Sequence, residues 1–485
     1  MLTPSWLADA SSALVAAAYT AGQLGLLAYA SHRWWLIRAR SRGPVAPAPW
    51  WRAGEEPAVL VQLPVRDEAA VVGRLVAAVA ALDWPRDRLR VQLLDDSGEA
   101  VAAVGADAVA RARAAGLQIE HVRRGSRHGF KAGALAHGLL QSSEPYVAVF
   151  DADFVPAPDF LRRMLPHLAD SRVGLVQARW GHLDRDAGAL SRAQAVLLDA
   201  HLYVEQTARQ GAGCWFNFNG TAGVWRRACI EHAGGWQHDT LTEDLDLSYR
   251  AQLAGWRFVF DPGVEVPAEL PQDMRAFRSQ QHRWVKGAFQ TARKLLPRVW
   301  AARIPARLKL EATVHLTANL VYPLLLVLLA LMAPLLMSGE RWPVWALIAS
   351  QVALFGVGTL PVVWFLAEGQ RRAGRGGART AADVALALVL CGGLAWSLTR
   401  AVAEGLWGAT GEFVRTPKWG GVRQAAAAGR RAGGGMAELA GTALCATLAA
   451  LAWLHARPEA LPFLLAFGAG SAWVGLGLRR AARTA

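Results

Sequence analysis

Four short runs carry side chains able to do chemistry together, and they come in a fixed order. They are Leu94-Asp95-Asp96-Ser97, Phe150-Asp151-Ala152-Asp153, Thr242-Glu243-Asp244 and Gln280-Gln281-His282-Arg283-Trp284. Asp151 and Asp153 suit a hard divalent cation, which takes few protein carboxylates and completes its shell with phosphate oxygens; alone, they also fit a solvated turn. Asp95 and Asp96 suit the edge of a nucleobase or ribose, or a cap on the following helix. The run His128-Gly129-Phe130-Lys131-Ala132-Gly133 adds a cation and permissive backbone before a helical stretch, which suits diphosphate; the alternative is an ordinary loop. Thr242 is placed to cap a helix, leaving a carboxylate beside it to take a proton from a hydroxyl. Asp246 reads as an ordinary acidic residue of a first helical turn. Gln280, Arg283 and Trp284 recur at helical spacing, with a guanidinium that forks onto phosphate oxygens and a flat ring for the apolar face of a sugar. A helix carrying Arg and Trp at a membrane surface is the structural alternative.

The elements that must hold these residues follow from periodicity. Ala58 to Pro64, Leu89 to Leu94 and Tyr146 to Phe150 read as buried strands, with helical patterns over Glu68 to Leu82 and Ala100 to Ala115. Alternation of this kind predicts an α/β domain with a mainly parallel sheet and a ligand site at the carboxyl ends of its strands. The acidic pairs fall at those ends.

The chain of 485 residues is 53% hydrophobic and only 19% charged, which calls for membrane segments. Its net charge of +14 sits largely in short basic stretches beside apolar runs, a positive-inside pattern that argues against nucleic acid as a partner. The four cysteines, Cys214, Cys229, Cys391 and Cys445, form no Cys-x-x-Cys pair and read as packing residues. Residues 1–31 are expected to form an uncleaved transmembrane anchor and 32–57 a basic, Pro-rich linker. Residues 58–270 are expected to form the α/β domain and 271–311 interfacial helices bearing the Gln280 run. Spans are expected at Leu316 to Met337 and Pro343 to Leu366, within 312–367, and at Leu439 to Leu454 and Ala460 to Leu478, within 437–478. The near-spanning stretch 381–410 is expected to lie in the interface, because crossing there would put the later basic residues outside. Residues 479–485 form a cytoplasmic tail, which gives five crossings and a multi-pass protein of the bacterial inner membrane with a cytoplasmic catalytic domain.

Taken together, Asp95-Asp96, Asp151-x-Asp153, Thr242-Glu243-Asp244 and Gln280-x-x-Arg283-Trp284 resemble the membrane-embedded, inverting family 2 glycosyltransferases of GT-A fold, the group of cellulose, hyaluronan and chitin synthases. Phe216-Asn217-Phe218-Asn219-Gly220-Thr221-Ala222-Gly223 and the Gln-Gln-His-Arg-Trp form are similar to the cellulose-synthase-like A, glucomannan and mannan synthase, type and its bacterial relatives. The resemblance implies Asp244 as catalytic base, and a nucleotide site of Asp95, Asp96, Lys131, Asp151 and Arg283. It implies Asp153 as ligand to Mg2+ or Mn2+, and Trp284, Gln280, Phe218, Asn219, Gly220 and Thr221 around the acceptor. Phe413-Val414-Arg415-Thr416-Pro417-Lys418, within 411–420, is similar to a gating loop, with Phe413, Thr416 and Lys418 in its matching positions and Arg415 where an aliphatic residue is usual. Arg66 in Pro64-Val65-Arg66-Asp67-Glu68 stands where an aromatic residue commonly lies beside the base, which leaves nucleotide choice open.

The implied activity is processive transfer of a hexose from UDP-glucose or GDP-mannose to a growing β-linked polysaccharide that the chain also translocates. The implied partners are a nucleotide-sugar donor, a polysaccharide or lipid-linked acceptor and membrane lipids, with room for an accessory export protein. Two alternatives stand beside it: a non-processive transferase acting on a lipid, as ceramide glucosyltransferases do, and a membrane scaffold or transporter with an inactive transferase domain.

Overall fold

Strand β1 (Val59–Val65) sets the pattern for the domain that carries the motifs. Val59, Val61, Leu63 and Val65 face one apolar core, and Leu60 faces another on the opposite side of the sheet. The one polar side chain on the second face is anchored through its amide nitrogen: Gln62 Nε2 donates to Gln92 Oε1 at 3.1 Å and to the Leu135 carbonyl at 3.2 Å. The computed structural model describes residues 5–39, 44, 47–337, 354–408, 418, 420 and 434–483.

Six further strands complete the sheet: β2 (Leu89–Asp95), β3 (Gln118–Val122), β4 (Tyr146–Val149), β5 (Val173–His182), β6 (Gly223–Arg226) and β7 (Arg257–Ala268), in the order β3-β2-β1-β4-β6-β5-β7. Strands β3, β2, β1 and β4 are parallel, and β6 runs antiparallel to both β4 and β5, so β5 and its parallel partner β7 point the same way as β1. Every strand except β6 therefore ends at one edge, where Asp96, Asp151 and the Trp180 to His182 end of β5 gather.

Around the domain, five helices among the described residues are long and apolar enough to cross a membrane: Leu14–Arg38, Ala306–Met337, Gly377–Trp407, Met436–Leu454 and Pro458–Ala482. Part of the expected span Pro343 to Leu366 lies outside the described residues; its described end continues into the helix Leu360–Arg372. The helix Gly377–Trp407 covers the expected interfacial segment. It crosses the last helix at a point of glycine contact, where a Cβ on Gly393 would stand 2.1 Å from the Gly470 carbonyl oxygen. Near one end Asp383 pairs with Arg192 at 2.9 Å, and near the other Glu404 pairs with Lys286 at 3.3 Å.

Charged side chains join the domain to the first and second of these helices. Arg209, 1% exposed, donates from Nε to Glu311 at 2.8 Å and pairs through Nη2 with Glu205 at 2.6 Å, while His32 of the first helix meets Glu311 at 2.7 Å. Removing one member of a buried charged set leaves the others unpaired at low dielectric. Arg209→Ala should therefore lower stability by about 3–5 kcal/mol, read by thermal unfolding of the detergent-solubilised protein.

Candidate active site

The carboxyl edge of the sheet opens into a cavity of about 170 Å³ lined by Asp96, Lys131, Asp151, Asp153, Asn219, Gly220, Glu243, Asp244, Gln280, Arg283, Trp284 and Lys418, among others. All four signatures meet there.

Lys131 is brought in by a tight turn. Gly129 (φ +74°), which precedes the helix Phe130–Leu140, and Phe130 (φ +49°), its first residue, both adopt left-handed backbone. Arg124 braces that turn, donating to the carbonyls of His128 (2.7 Å) and Phe130 (2.6 Å) and forking onto Asp96 at 2.7 and 2.5 Å. The ammonium of Lys131 then bonds Asp151 Oδ1 at 2.5 Å and the Gly220 carbonyl at 2.9 Å, and stands 3.9 Å from Glu243. Burial alone would lower its pKa, but Asp151, Glu243 and Asp244 outweigh burial and raise it.

Asp153 is 1% exposed, and one oxygen, Oδ2, meets Lys418 Nζ at 2.7 Å. Burial raises its pKa, Lys418 partly offsets that, and Asp151 adds to it. Its second oxygen, Oδ1, is buried with no hydrogen-bond partner among the described residues. Two carboxylates at a strand end, one with an unsatisfied oxygen, fit a hard divalent cation that draws its remaining ligands from water and phosphate. Among the described residues no group of three or more His, Cys, Asp or Glu forms a full protein cage for a metal.

Asp244 stands in the first turn of the helix Glu243–Leu253, and its Oδ1 accepts from the Leu245 N–H at 2.8 Å. Its pKa is pushed up to about 7, by burial first and by the adjacent Glu243 carboxylate second, against the pull of Lys131, the Leu245 N–H and Arg283. A carboxylate held there can take a proton near neutral pH. Gly220 (φ +84°) leaves it room, since a Cβ at that position would stand 2.8 Å from Asp244 Oδ2. Thr242 occupies the cap position but makes no capping bond; its side chain packs instead against Gly287, where an added Cβ would come within 2.5 Å. Asp246 is fully buried and paired with Arg250 (2.7 Å) and Lys294 (2.8 Å), a structural role.

The helix Met274–Ala301, started by Asp273 accepting from the Ala276 N–H at 2.8 Å, turns Gln280, Arg283 and Trp284 into the cavity. Burial lowers the pKa of Arg283, and Glu243, Asp244 and Asp151 oppose that. Trp284 faces Trp180 at 6.5 Å between ring centroids, and Trp180 meets Phe154 edge-on at 5.3 Å.

Several expected site residues lie elsewhere. Asp95 turns away from the cavity and accepts from the Ser97 N–H at 2.9 Å, with His121 Nε2 at 2.8 Å. Adjacent residues of a strand point to opposite faces, so Asp95 and Asp96 cannot share a task. Phe218, expected at the acceptor, is fully buried against Trp225 and packs in the core outside the cavity lining. Thr221 lies beneath the cavity, its hydroxyl accepting from the Asp151 N–H at 2.9 Å. Phe413 and Thr416 lie outside the described residues. Trp180 and His182, which the motifs do not include, line the cavity from β5, a strand whose apolar alternation is interrupted by Gln177 and Arg179.

Residues 57–287 match the family model described as "Glycosyltransferase like family 2". The chain is 46% identical over 246 residues to "Glucomannan 4-beta-mannosyltransferase 1" of Oryza sativa subsp. japonica, a stretch covering 50% of this chain and 47% of that protein. It is 44% identical over 245 residues to "Glucomannan 4-beta-mannosyltransferase 2" of Arabidopsis thaliana, covering 50% and 46%. The chain thus spans about half the length of the curated relatives it matches. Among solved structures, "Mannosyltransferase PcManGT from Pyrobaculum calidifontis in complex with GDP-Man and Mn2+" aligns with a TM-score of 0.53 at 23% identity, covering 81% of this chain and 98% of that one. That likeness concerns the fold, and the mixed sheet with its flanking helices is the GT-A arrangement.

A carboxyl group whose pKa is raised on folding holds a proton that the unfolded chain has released, so stability falls as pH rises between about 4 and about 7. Asp244→Asn removes that penalty. The substrate-free variant should melt at a higher temperature than the parent at pH 8, and the gap should shrink toward pH 4.5, as followed by scanning fluorimetry.

Proposed function

We propose that this chain, whose residues 57–287 are a family 2 glycosyltransferase domain, is a membrane mannosyltransferase that moves mannose from GDP-mannose to a growing β-linked glucomannan or mannan with inversion at the anomeric carbon. The observation that carries the reading is the meeting of Asp244, raised to about 7, with Lys131 and Arg283 in the cavity that also holds Asp151 and Asp153. The names of the relatives, at 46% and 44% identity over the catalytic half, favour mannose over glucose and a polysaccharide over a lipid acceptor.

In this reading Asp244 takes the proton from the acceptor hydroxyl as that oxygen attacks the anomeric carbon. Lys131 and Arg283 stabilise the negative charge that builds on the departing diphosphate. Asp96 orients the nucleoside, and Trp284 and Gln280 hold the acceptor sugar against the donor. Asp151 and Asp153 would hold Mg2+ or Mn2+, which supplies further neutralisation of the diphosphate when bound.

Both ends of the helix Gly377–Trp407 bear contacts to the domain and to the helix Met274–Ala301, at Asp383 and Glu404. Lys418, only eleven residues past its end, reaches Asp153 in the cavity. These contacts support a helix lying along the membrane surface, with the catalytic domain on the cytosolic side and Lys418 seated against Asp153 in the cavity. The five long apolar helices support multi-pass membrane placement, while the glucomannan mannosyltransferases that the chain resembles in sequence are plant proteins and lend no support to a bacterial inner membrane. Processive elongation and passage of the product through the helices complete the proposal.

With labelled GDP-mannose and UDP-glucose supplied separately to reconstituted protein, GDP-mannose should enter polymer. Incorporation from UDP-glucose alone, or a product of one sugar on lipid, would overturn the reading. Asp244→Asn should lower transfer by about 10³-fold while donor affinity, measured by titration calorimetry, stays within about two-fold. In the parent, kcat/KM should fall below a pH of about 7 as the base takes up its proton.

A further inference from the structure

Trp180 and His182 are two residues apart on β5 and so share one face of the strand, and both line the cavity beside Gln280 and Trp284. Neither is placed by the carboxylates and cations that would handle the donor. The Trp180 Nε1–H is buried with no acceptor among the described residues, and the same holds for the Asn219 Nδ2 group in the same cavity. Buried donors are satisfied as a rule, so two unsatisfied donors on residues that line one cavity point to a ligand bearing oxygen acceptors.

His182 is held in a fixed pose. Its Nε2 lies 2.9 Å from Asp199 Oδ1, and Asp199 Oδ2 accepts from Arg185 at 2.8 Å and from Gln370 at 2.9 Å. Burial would raise the pKa of Asp199, but the bonds from His182, Gln370 and Arg185 outweigh it and hold the group ionised. An ionised carboxylate only accepts, so His182 donates from Nε2 and its Nδ1 is the ring nitrogen left for another partner. Asp199, Arg185 and Gln370 are buried, and together they aim the half-buried imidazole of His182.

We propose that Trp180 and His182 form an acceptor-sugar subsite beside Trp284. In it the Trp180 indole presents its face to a sugar and its Nε1–H to an oxygen acceptor, and His182 Nδ1 hydrogen-bonds a sugar hydroxyl. Asp199 is a positioning residue that sets the imidazole. The two indoles, 6.5 Å apart and inclined by 52°, make a bent aromatic floor for a glycan that turns as it meets the donor. Gln370 lies on the helix Leu360–Arg372, so the same set ties this subsite to the helices around the domain.

The proposal rests on the transfer reading above, and the test separates the two. Full-length reconstituted protein is given GDP-mannose and mannotetraose at varied concentration, and donor affinity is measured separately by calorimetry. His182→Ala and Trp180→Phe should each raise the acceptor KM about ten-fold, the loss expected for one good polar contact, with kcat within about three-fold and donor affinity within about two-fold. Asp199→Asn should raise the acceptor KM in the same direction by a smaller factor, and His182→Asn should recover part of what His182→Ala loses. Unchanged acceptor KM in both variants of an active parent overturns the subsite, as does loss of donor affinity in both, which would make the residues part of the scaffold. Absence of any mannosyl transfer by the parent overturns the transfer reading instead.

Discussion

The Lys131 ammonium is the interaction on which the site depends. It touches the Asp151 carboxylate, the Gly220 carbonyl and the neighbourhood of Glu243, and so ties the end of β4, the loop before β6 and the start of the helix Glu243–Leu253 at one point. Without a cation there, Asp151, Glu243 and Asp244 would face one another in a buried cavity at several kcal/mol of mutual repulsion. The left-handed turn at Gly129 and Phe130 and the brace from Arg124 exist, in structural terms, to deliver that one charge.

The balance is uneven in a useful way. Asp151 is directly paired with Lys131, whereas Asp244 meets Lys131 and Arg283 at longer range, and burial together with the adjacent Glu243 carboxylate pushes its pKa up to about 7. Asp153 leans on Lys418, from a part of the chain more than two hundred and fifty residues away in sequence. One cavity therefore holds acids in two environments, which in the proposed function serve as a pair for a cation and phosphate and as one carboxylate that accepts a proton. Separation of roles by environment rather than by residue type is a general device of acid–base sites.

The motif residues were legible from sequence because their types are costly to bury and so demand a partner or a ligand. Asp151, Asp244 and Arg283 announce themselves for that reason, and the parallel strands before Asp96 and Asp151 follow from apolar runs. What stayed hidden was geometry that sequence spacing does not carry. Asp95 and Asp96 look equivalent until the pleat sends them to opposite faces. Thr242 looks like a cap, but Gly287 draws its side chain into a helix contact instead. Strand β5 escaped notice because Gln177, Arg179 and His182 break its apolar alternation, and with it went Trp180 and His182. Short β6 and bulged β7, with Pro262 and Gly263 inside it, carry too little pattern to read alone.

The central claim is that Asp244 and the cationic pair work on opposite sides of one anomeric carbon. GDP-mannose carries its sugar in the α configuration, so attack from the side away from the diphosphate must yield a β linkage. The direct measurement is the anomeric configuration of the newly formed bond, read by proton–carbon NMR on product made from labelled GDP-mannose. A β-linked mannosyl residue is the predicted result, and an α-linked one would contradict the account.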